Sequence, residues 1–227
     1  MNIILLTLCC IGLMTITLFE LLQIFPKIAG GLINKNGLAA NYALKTLLFN
    51  RFGATLFFPI VAYYVDSGAK PDDIAMLMLV GMILLCTATM ILLVYYENII
   101  GKYMRIINKN YAKESTQLIL YEDLSFSKNN KFYFLVFGAG IFGHLGILAP
   151  ILVASIIPEF RLTVSQFGFL FNSVFSVITI YYIDAKISRF CENEQEKLRS
   201  VGRLILRSRL SSMVFMCAIL SGVAAIF

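Results

Sequence analysis

The chain has 227 residues, of which 59% are hydrophobic and only 14% are charged. Soluble domains average about 45–50% apolar and about 25% charged residues, so this composition excludes a soluble globular protein and a disordered chain. The net charge of +6 is typical of a membrane protein oriented by basic loops, and it does not by itself indicate a nucleic-acid partner.

Six apolar stretches of about 20 residues follow one another along the chain, and this length lets an α-helix cross a bilayer. They are too continuous for the alternating strands of a membrane barrel. We predict spans at about 3–25, 38–65, 73–97, 132–156, 163–183 and 201–226. Pro26 should end the first span, Gly30-Gly31 should break the chain before the second, and Pro71-Asp72-Asp73 should start the third. The sequence therefore predicts an all-α polytopic membrane protein, with residues 1–227 forming one transmembrane domain.

Basic residues lie almost entirely in the loops on one side of these spans. Alternation of the spans puts twelve loop lysines and arginines on one side and only Lys70 and Arg161 on the other. The positive-inside rule makes the first side cytoplasmic and places both termini outside the cytoplasm. The first 19 residues contain no lysine or arginine, which predicts a retained first helix rather than a signal peptide.

The segment 98–131 joins two three-span halves, which cover residues 1–97 and 132–227. Within it, basic residues recur at helical spacing beside apolar ones; they are Lys102, Arg105, Lys109 and Lys113. This pattern predicts a cytoplasmic amphipathic helix on the anionic membrane surface. A solvated basic linker remains the alternative.

The two halves share short sequence matches in their middle spans. Leu48-Phe49-Asn50 and Tyr63-Tyr64-Val65-Asp66 correspond to Leu170-Phe171-Asn172 and Tyr181-Tyr182-Ile183-Asp184. Because each half has an odd number of spans, the matches would belong to inverted repeats, a common construction of carriers with a site at the repeat interface. Chance similarity between apolar helices is the alternative.

Several charged side chains fall inside the predicted spans, where a charge at the bilayer centre costs at least about 2.5–3.5 kcal/mol. They are Glu20, Lys45, Arg51, Arg203, Arg207 and Arg209, together with the single histidine, His144. The excess of cations predicts a hydrated cavity, open to the cytoplasm, that receives an anion; the planar guanidinium of arginine suits phosphate. The alternatives are snorkelling for Lys45 and Arg203, a structural ion pair for Glu20, and helix packing for His144.

Other features bear on mechanism. Pro59 should kink the second span and act as a hinge next to the segment that ends at Asp66, although it could be an ordinary membrane-helix proline. The glycines Gly138, Gly140, Gly143 and Gly146 should form a small-residue face for close helix contact. The chain has no HExxH, GxSxG or P-loop motif, and its five cysteines form no CxxC or Cys/His cluster. We therefore predict neither an enzyme nor a metal or cofactor site.

Two segments resemble the Amj-type alternate lipid II flippases. Residues 50–66, with Arg51, Pro59 and Val65-Asp66, resemble the second helix of that family. Residues 158–166, which read Pro-Glu-Phe-Arg-Leu-Thr-Val-Ser-Gln, and the end of the fifth span at Ile183-Asp184 resemble a second family element, as does Ser208-Arg209 in the last span. The chain departs from the family by Asn50 in place of serine and by Ala185 in place of proline.

The resemblance implies a flippase of the bacterial inner membrane that carries lipid II, the undecaprenyl-pyrophosphate-linked peptidoglycan precursor, from the cytoplasmic to the outer leaflet. Arg51 and Arg209 are the expected pyrophosphate contacts, with Arg207 and Lys45 as secondary ones. Further residues that could tune the charge or gate the cavity are Glu20, His144, Asp66 and Asp184. Alternatives are a carrier of another anionic polyprenyl-phosphate lipid, a non-catalytic membrane scaffold subunit, and a membrane enzyme.

Overall fold

The computed structural model describes residues 3–108, 130–157, 159 and 161–226. Nine α-helices occur in this part of the chain: α1 Ile3–Leu22, α2 Ile24–Leu32, α3 Asn36–Asp66, α4 Pro71–Val94, α5 Tyr96–Ile107, α6 Asn130–Ile156, α7 Arg161–Ile178, α8 Ala185–Asn193 and α9 Leu198–Ile226. A π-helical segment, Thr179–Asp184, joins α7 to α8, and a 3-10 turn, Gln195–Lys197, precedes α9. Six helical stretches are long and apolar enough to cross a membrane, which confirms the predicted all-α polytopic architecture.

Local chemistry explains several helix ends. α4 begins with Pro71 at its first turn, followed by Asp72 and Asp73, as the sequence predicts; proline fits that position, and the two carboxylates face the positive end of the helix dipole. Asn34 has a φ of 55° at the turn before α3, and Gly68 has a φ of 80° at the turn after it. Both residue types tolerate this left-handed conformation better than most.

The predicted end of the first span at Pro26 is wrong, because the helical stretch continues as α2 to Leu32. Pro26 has no N–H to donate to the carbonyl of Leu22, which accounts for the brief interruption at Gln23 rather than a full stop. The expected chain break at Gly30-Gly31 is also wrong. Both glycines lie inside α2, where a Cβ would overlap Ala39 of α3 or the side chains of Cys191 and Leu198.

The fifth span also extends beyond its predicted end. It runs through the π-helical segment and α8 to Asn193, so Asp184 lies within a continuous helical stretch rather than at its terminus. The third span ends earlier than predicted, at Val94, and the chain turns at Tyr95 into α5. The difference arises because one apolar run covers both α4 and the start of α5, and composition alone does not mark the turn.

Helix α5 occupies the first part of the segment predicted to be amphipathic. Its buried residues recur at helical spacing; they are Tyr96, Ile100, Met104 and Ile107. This apolar face packs against α2. Lys109 and Lys113 lie outside the described residues, so the remainder of the predicted amphipathic helix stays a prediction.

The helices pair in the same pattern in both halves. In the first half α1 packs extensively against α3 and less so against α4, and in the second half α6 packs against α7 and less so against α9. The third span of each half, α4 and α9, pack against each other across the middle of the bundle. The relation of the two halves as inverted repeats stays a prediction.

Tyr96 fastens the junction between α4 and α5 to α9. Its side chain is 1% exposed, and its hydroxyl donates a hydrogen bond of 3.0 Å to the carbonyl of Arg199. Burial is the main reason why the pKa of Tyr96 is raised, and the neighbouring Glu97 carboxylate adds to it. The hydroxyl therefore remains a donor over the physiological pH range.

The Tyr96→Phe variant should lower the free energy of unfolding by about 0.5–1.5 kcal/mol, because it removes this hydrogen bond between α5 and α9. Denaturant titration of the purified protein in mixed micelles measures the difference. Tyr95→Phe is the matched control, since the Tyr95 side chain is 54% exposed. Equal stabilities of the two variants would show that the Tyr96 hydroxyl contributes nothing.

Candidate functional site

Arg209 is buried near the middle of the bundle. It lies eleven residues after Leu198, the start of α9, or about 16 Å along the helix axis at 1.5 Å per residue. Its side chain is 5% exposed and forms an ion pair with Glu20 of α1, whose side chain is 16% exposed. The guanidinium carbon lies 5.0 Å from the ring centroid of Phe175. Among the described residues, the Nη1 atom of Arg209 is buried without a hydrogen-bond partner.

One glycine of α6 lies against α9 beside this arginine. A Cβ on Gly140 would overlap the side chain of Ser212 and would lie 3.2 Å from Nη1 of Arg209, so a larger residue would crowd both side chains. Gly143 and Gly146 face side chains of α7 at similarly short range, whereas a Cβ on Gly138 would meet nothing within 4 Å. Three of the four glycines thus serve the close helix contacts that the sequence predicts.

Arg209 and Glu20 line a narrow inner cavity of about 30 Å³, which is enough room for a water molecule. Gln23 of the α1–α2 junction and Thr179 also contribute to its wall. The hydroxyl oxygen of Thr179 is buried and has no hydrogen-bond partner in the described part of the chain. The inner cavity therefore brings a few polar and charged groups together within a largely apolar wall.

A second ion pair stands at the other end of the inner cavity. The Lys27 ammonium lies 2.7 Å from the Asp184 carboxylate, and both side chains are partly exposed. The same two residues line a wider outer cavity of about 300 Å³, whose walls come from α3 and α8 and include Asn36, Ser188 and Glu192. The Lys27–Asp184 pair thus separates the outer cavity from the inner one. By the predicted topology this end of the bundle faces the cytoplasm.

The π-helical segment shapes the wall between the two cavities. Thr179, Ile183 and Asp184 all line the inner cavity. In a π-helix each N–H bonds to the carbonyl five residues earlier, so residues i and i+5 return to one face, which they do not in an α-helix. The segment thereby places both Thr179 and Asp184 in the cavity wall. Single π-helical turns of this kind are frequent at functional sites.

The two ion pairs make the cavity electrically balanced. Arg209 and Lys27 supply two cations, and Glu20 and Asp184 supply two carboxylates. The cavity therefore lacks the surplus of positive charge that the sequence predicts. An anion that binds to one of the cations must displace or neutralise a carboxylate.

Of the four predicted substrate contacts, only Arg209 lines these two cavities. Lys45, Arg51 and Arg207 have exposed side chains. The Lys45 ammonium lies 5.5 Å from the ring centroid of Tyr42, one turn earlier on the same helix. The structure therefore does not bring Arg51 and Arg209 together at these cavities.

The predicted gating residues are also distributed over the bundle. Glu20 and Asp184 lie in the inner cavity, whereas Asp66 is exposed at the end of α3. His144 is 2% exposed and its Nε2 has no hydrogen-bond partner among the described residues, but it lines neither cavity. Pro59 is exposed within the continuous helix α3.

The sequence does not identify Lys27 as a site residue, because a first span that ends at Pro26 places Lys27 in a loop. A signal was present: Lys27 follows Glu20 by two helical turns, so the two share a face if the helix continues. The sequence also does not identify Glu97, which pairs with Arg203 at 2.8 Å and with Arg199 at 3.4 Å. These contacts explain Arg203, one of the cations predicted inside the spans, and Arg199 as partners in structural ion pairs.

Within the described ranges, no group of three or more His, Cys, Asp and Glu side chains is placed to hold a metal ion. Comparison with known proteins found no matching family model, no matching curated protein and no matching solved structure. Function must therefore be inferred from the chemistry of the site.

Proposed function

We propose that this protein is a carrier of anionic lipid headgroups and that the phosphoryl group binds Arg209 inside the bundle. The observation that carries the proposal is the buried Nη1 donor of Arg209, which has no partner within the described residues. Leaving such a donor unsatisfied is costly, and a charge-assisted hydrogen bond to a phosphoryl oxygen would satisfy it. The planar guanidinium is well matched to two phosphoryl oxygens at once.

The outer cavity supplies a route to this arginine. Its volume of about 300 Å³ lies at the lower limit of small-molecule sites, so it holds a phosphoryl group and part of a larger headgroup. Lys27 offers a first cation on the way from the outer to the inner cavity. The apolar outer surface of the bundle would let the lipid tail stay in the bilayer while the headgroup enters.

The position of the ion pairs supports alternating access. Glu20 and Lys27 belong to the first half of the chain, and their partners Arg209 and Asp184 belong to the second. Carriers built from repeats bind their substrate at the repeat interface and move one half against the other. A headgroup that replaces the internal carboxylates would release the two halves from each other.

The finer proposal is that the substrate is lipid II, moved from the cytoplasmic to the outer leaflet of a bacterial inner membrane. It is supported by the resemblance of residues 50–66 and Ser208-Arg209 to the Amj-type flippases. Ser208 precedes the cavity arginine, and its hydroxyl donates to the carbonyl of Tyr133 at 2.6 Å, which holds α9 against α6. Of the second resembling segment, Pro158 and Phe160 lie outside the described residues.

Translocation in proteoliposomes tests the proposal. With a fluorescent lipid II analogue, the Arg209→Gln variant should translocate at least about tenfold more slowly, because a hydrogen bond to a charged group contributes about 1.5–3 kcal/mol. Arg189→Gln is the matched control, since Arg189 is exposed on α8 and lines neither cavity. Arg51→Gln is measured in the same assay. A loss of rate in this variant would support the contact at Arg51 that the sequence predicts, and an unchanged rate would support the cavity around Arg209 alone.

The same assay distinguishes the competing functions. Faster movement of undecaprenyl phosphate than of the lipid II analogue would favour a carrier of another polyprenyl-phosphate lipid. A folded Arg209→Gln variant with the wild-type rate would contradict the role of Arg209. No translocation of any anionic lipid by the wild-type protein would favour a scaffold subunit.

A further inference from the structure

The carboxylate of Glu20 already occupies the position on Arg209 that an anionic ligand would take. One oxygen of Glu20 pairs with Nη2 of Arg209, while the neighbouring Nη1 remains unpartnered in the described part of the chain. A phosphoryl group that binds through the guanidinium fork would therefore lie directly beside the carboxylate. Two negative groups would then share one buried cation.

Such a pair of like charges is unfavourable in a bundle that contains little water. Two acidic groups held close together in a protein cannot both remain ionised without a large electrostatic cost, so one of them takes up a proton. In a diphosphate that is esterified at both ends, as in lipid II, each phosphoryl group gives up its proton more readily than glutamic acid does, so Glu20 is the proton acceptor. Binding of the anion and binding of a proton are then linked.

Among the charged groups of the inner cavity, Glu20 is the one whose protonation changes when the anion binds. Three other charged residues line the inner cavity: Arg209 of α9, Lys27 of α2 and Asp184 of the π-helical segment. Helices α6 and α7 contribute only the apolar side chains of Val136 and Phe175. Among the described residues, α3 and α4 contribute nothing to the cavity wall. Asp184 keeps its own cation, since Lys27 lies 2.7 Å away. Only Glu20 has to share its cation with the ligand.

The cavity also holds the means to deliver the proton. It has room for a water molecule, and it is lined by Glu20, Lys27 and Asp184. Such a water molecule can relay a proton from the outer cavity, past the Lys27–Asp184 pair, to Glu20. Each step moves a proton between oxygen atoms and requires no cofactor.

From this geometry we infer that Glu20 binds a proton when the headgroup binds Arg209, so that proton and lipid cross the membrane in the same direction. This inference rests on the proposed function, and it adds the coupling ion. Substrate and proton occupy the carrier together, and both leave before the Glu20–Arg209 pair forms again.

Equilibrium distribution across the leaflets tests this coupling. In proteoliposomes with the membrane potential clamped to zero, a pH gradient should shift the distribution of the fluorescent lipid II analogue by roughly tenfold per pH unit, away from the acidic side, as one-proton linkage requires. A pH-sensitive dye inside the vesicles should report proton movement only when the lipid moves. The Glu20→Gln variant should equilibrate the lipid without a shift.

Glu97→Gln is the matched control, because Glu97 also pairs with arginines but lines neither cavity; it should keep the tenfold shift. Wild-type protein that translocates the lipid without any response to the pH gradient would overturn proton coupling and leave the proposed function standing. Wild-type protein that moves no anionic lipid would overturn both. Because the wild-type measurement decides the question, it stands even if Glu20→Gln folds poorly.

Discussion

Replacement of Arg209 by alanine is expected to lower the free energy of unfolding by about 3–5 kcal/mol. The variant leaves the carboxylate of Glu20 among packed helices without its cation, and an unpaired buried charge is among the most destabilising changes in a protein. The buried cysteines Cys9 and Cys191 provide the measurement, since a thiol-reactive dye reports their exposure as the detergent-purified protein is heated or titrated with denaturant.

A double variant separates charge from packing. Glu20→Gln combined with Arg209→Gln removes both charges, so we expect it to recover most of the stability lost in Arg209→Ala. Lys197→Ala serves as the control, because the pair between Lys197 and Glu194 is exposed and such pairs contribute little. A loss in the double variant as large as in Arg209→Ala would mean that packing rather than the unpaired carboxylate dominates.

The second large effect is expected at Gly53, where α1 and α3 touch through their backbones. A Cβ on Gly53 would lie 2.7 Å from the backbone nitrogen of Ile16 and 2.8 Å from the carbonyl oxygen of Gly12. Backbone atoms cannot rotate away as a side chain can, so the two helices would have to separate. Overpacking of this kind typically costs about 1–3 kcal/mol, and we expect Gly53→Ala to lose that much stability.

Gly37→Ala is the matched control on the same helix, since a Cβ there would meet nothing within 4 Å. Alanine is favoured over glycine inside helices, so Gly37→Ala should be neutral or stabilising in the same thiol-exposure assay. A Gly53→Ala variant as stable as the control would show that the contact between α1 and α3 is looser than the structure indicates.

Apolar run length was enough to predict the six spans, because a bilayer-crossing helix needs about 20 consecutive apolar residues whatever its neighbours. The start of α4 was also predictable, since Pro71 and the acidic residues after it act locally. The true end of the first span, at Leu32, could not be predicted from the position of Pro26. A proline removes one hydrogen bond but does not decide whether the helix resumes, and α2 resumes because its glycines pack against α3 and α8.

The position of a residue along its helix could be predicted from the sequence, but the face of the helix on which it lies could not. Arg51 and Arg209 both fall well inside their helices, yet Arg51 is exposed and Arg209 is buried. Lipid-facing and bundle-facing surfaces are both apolar, so the hydrophobic pattern that orients a soluble helix is weak here. The pair between Glu20 and Arg209 joins opposite ends of the chain, a contact that no local spacing encodes.

Both salt bridges of the cavity fasten one half of the molecule to the other. If the protein is a carrier as proposed, these two ion pairs keep the two halves together while no substrate is bound. A bound headgroup then replaces one of the ion pairs. Occupied molecules would then reorient faster than vacant ones, so that one-for-one exchange of lipid between the leaflets outpaces net flow. When its substrate is scarce, such a carrier seldom reorients and moves few ions or lipids across the membrane.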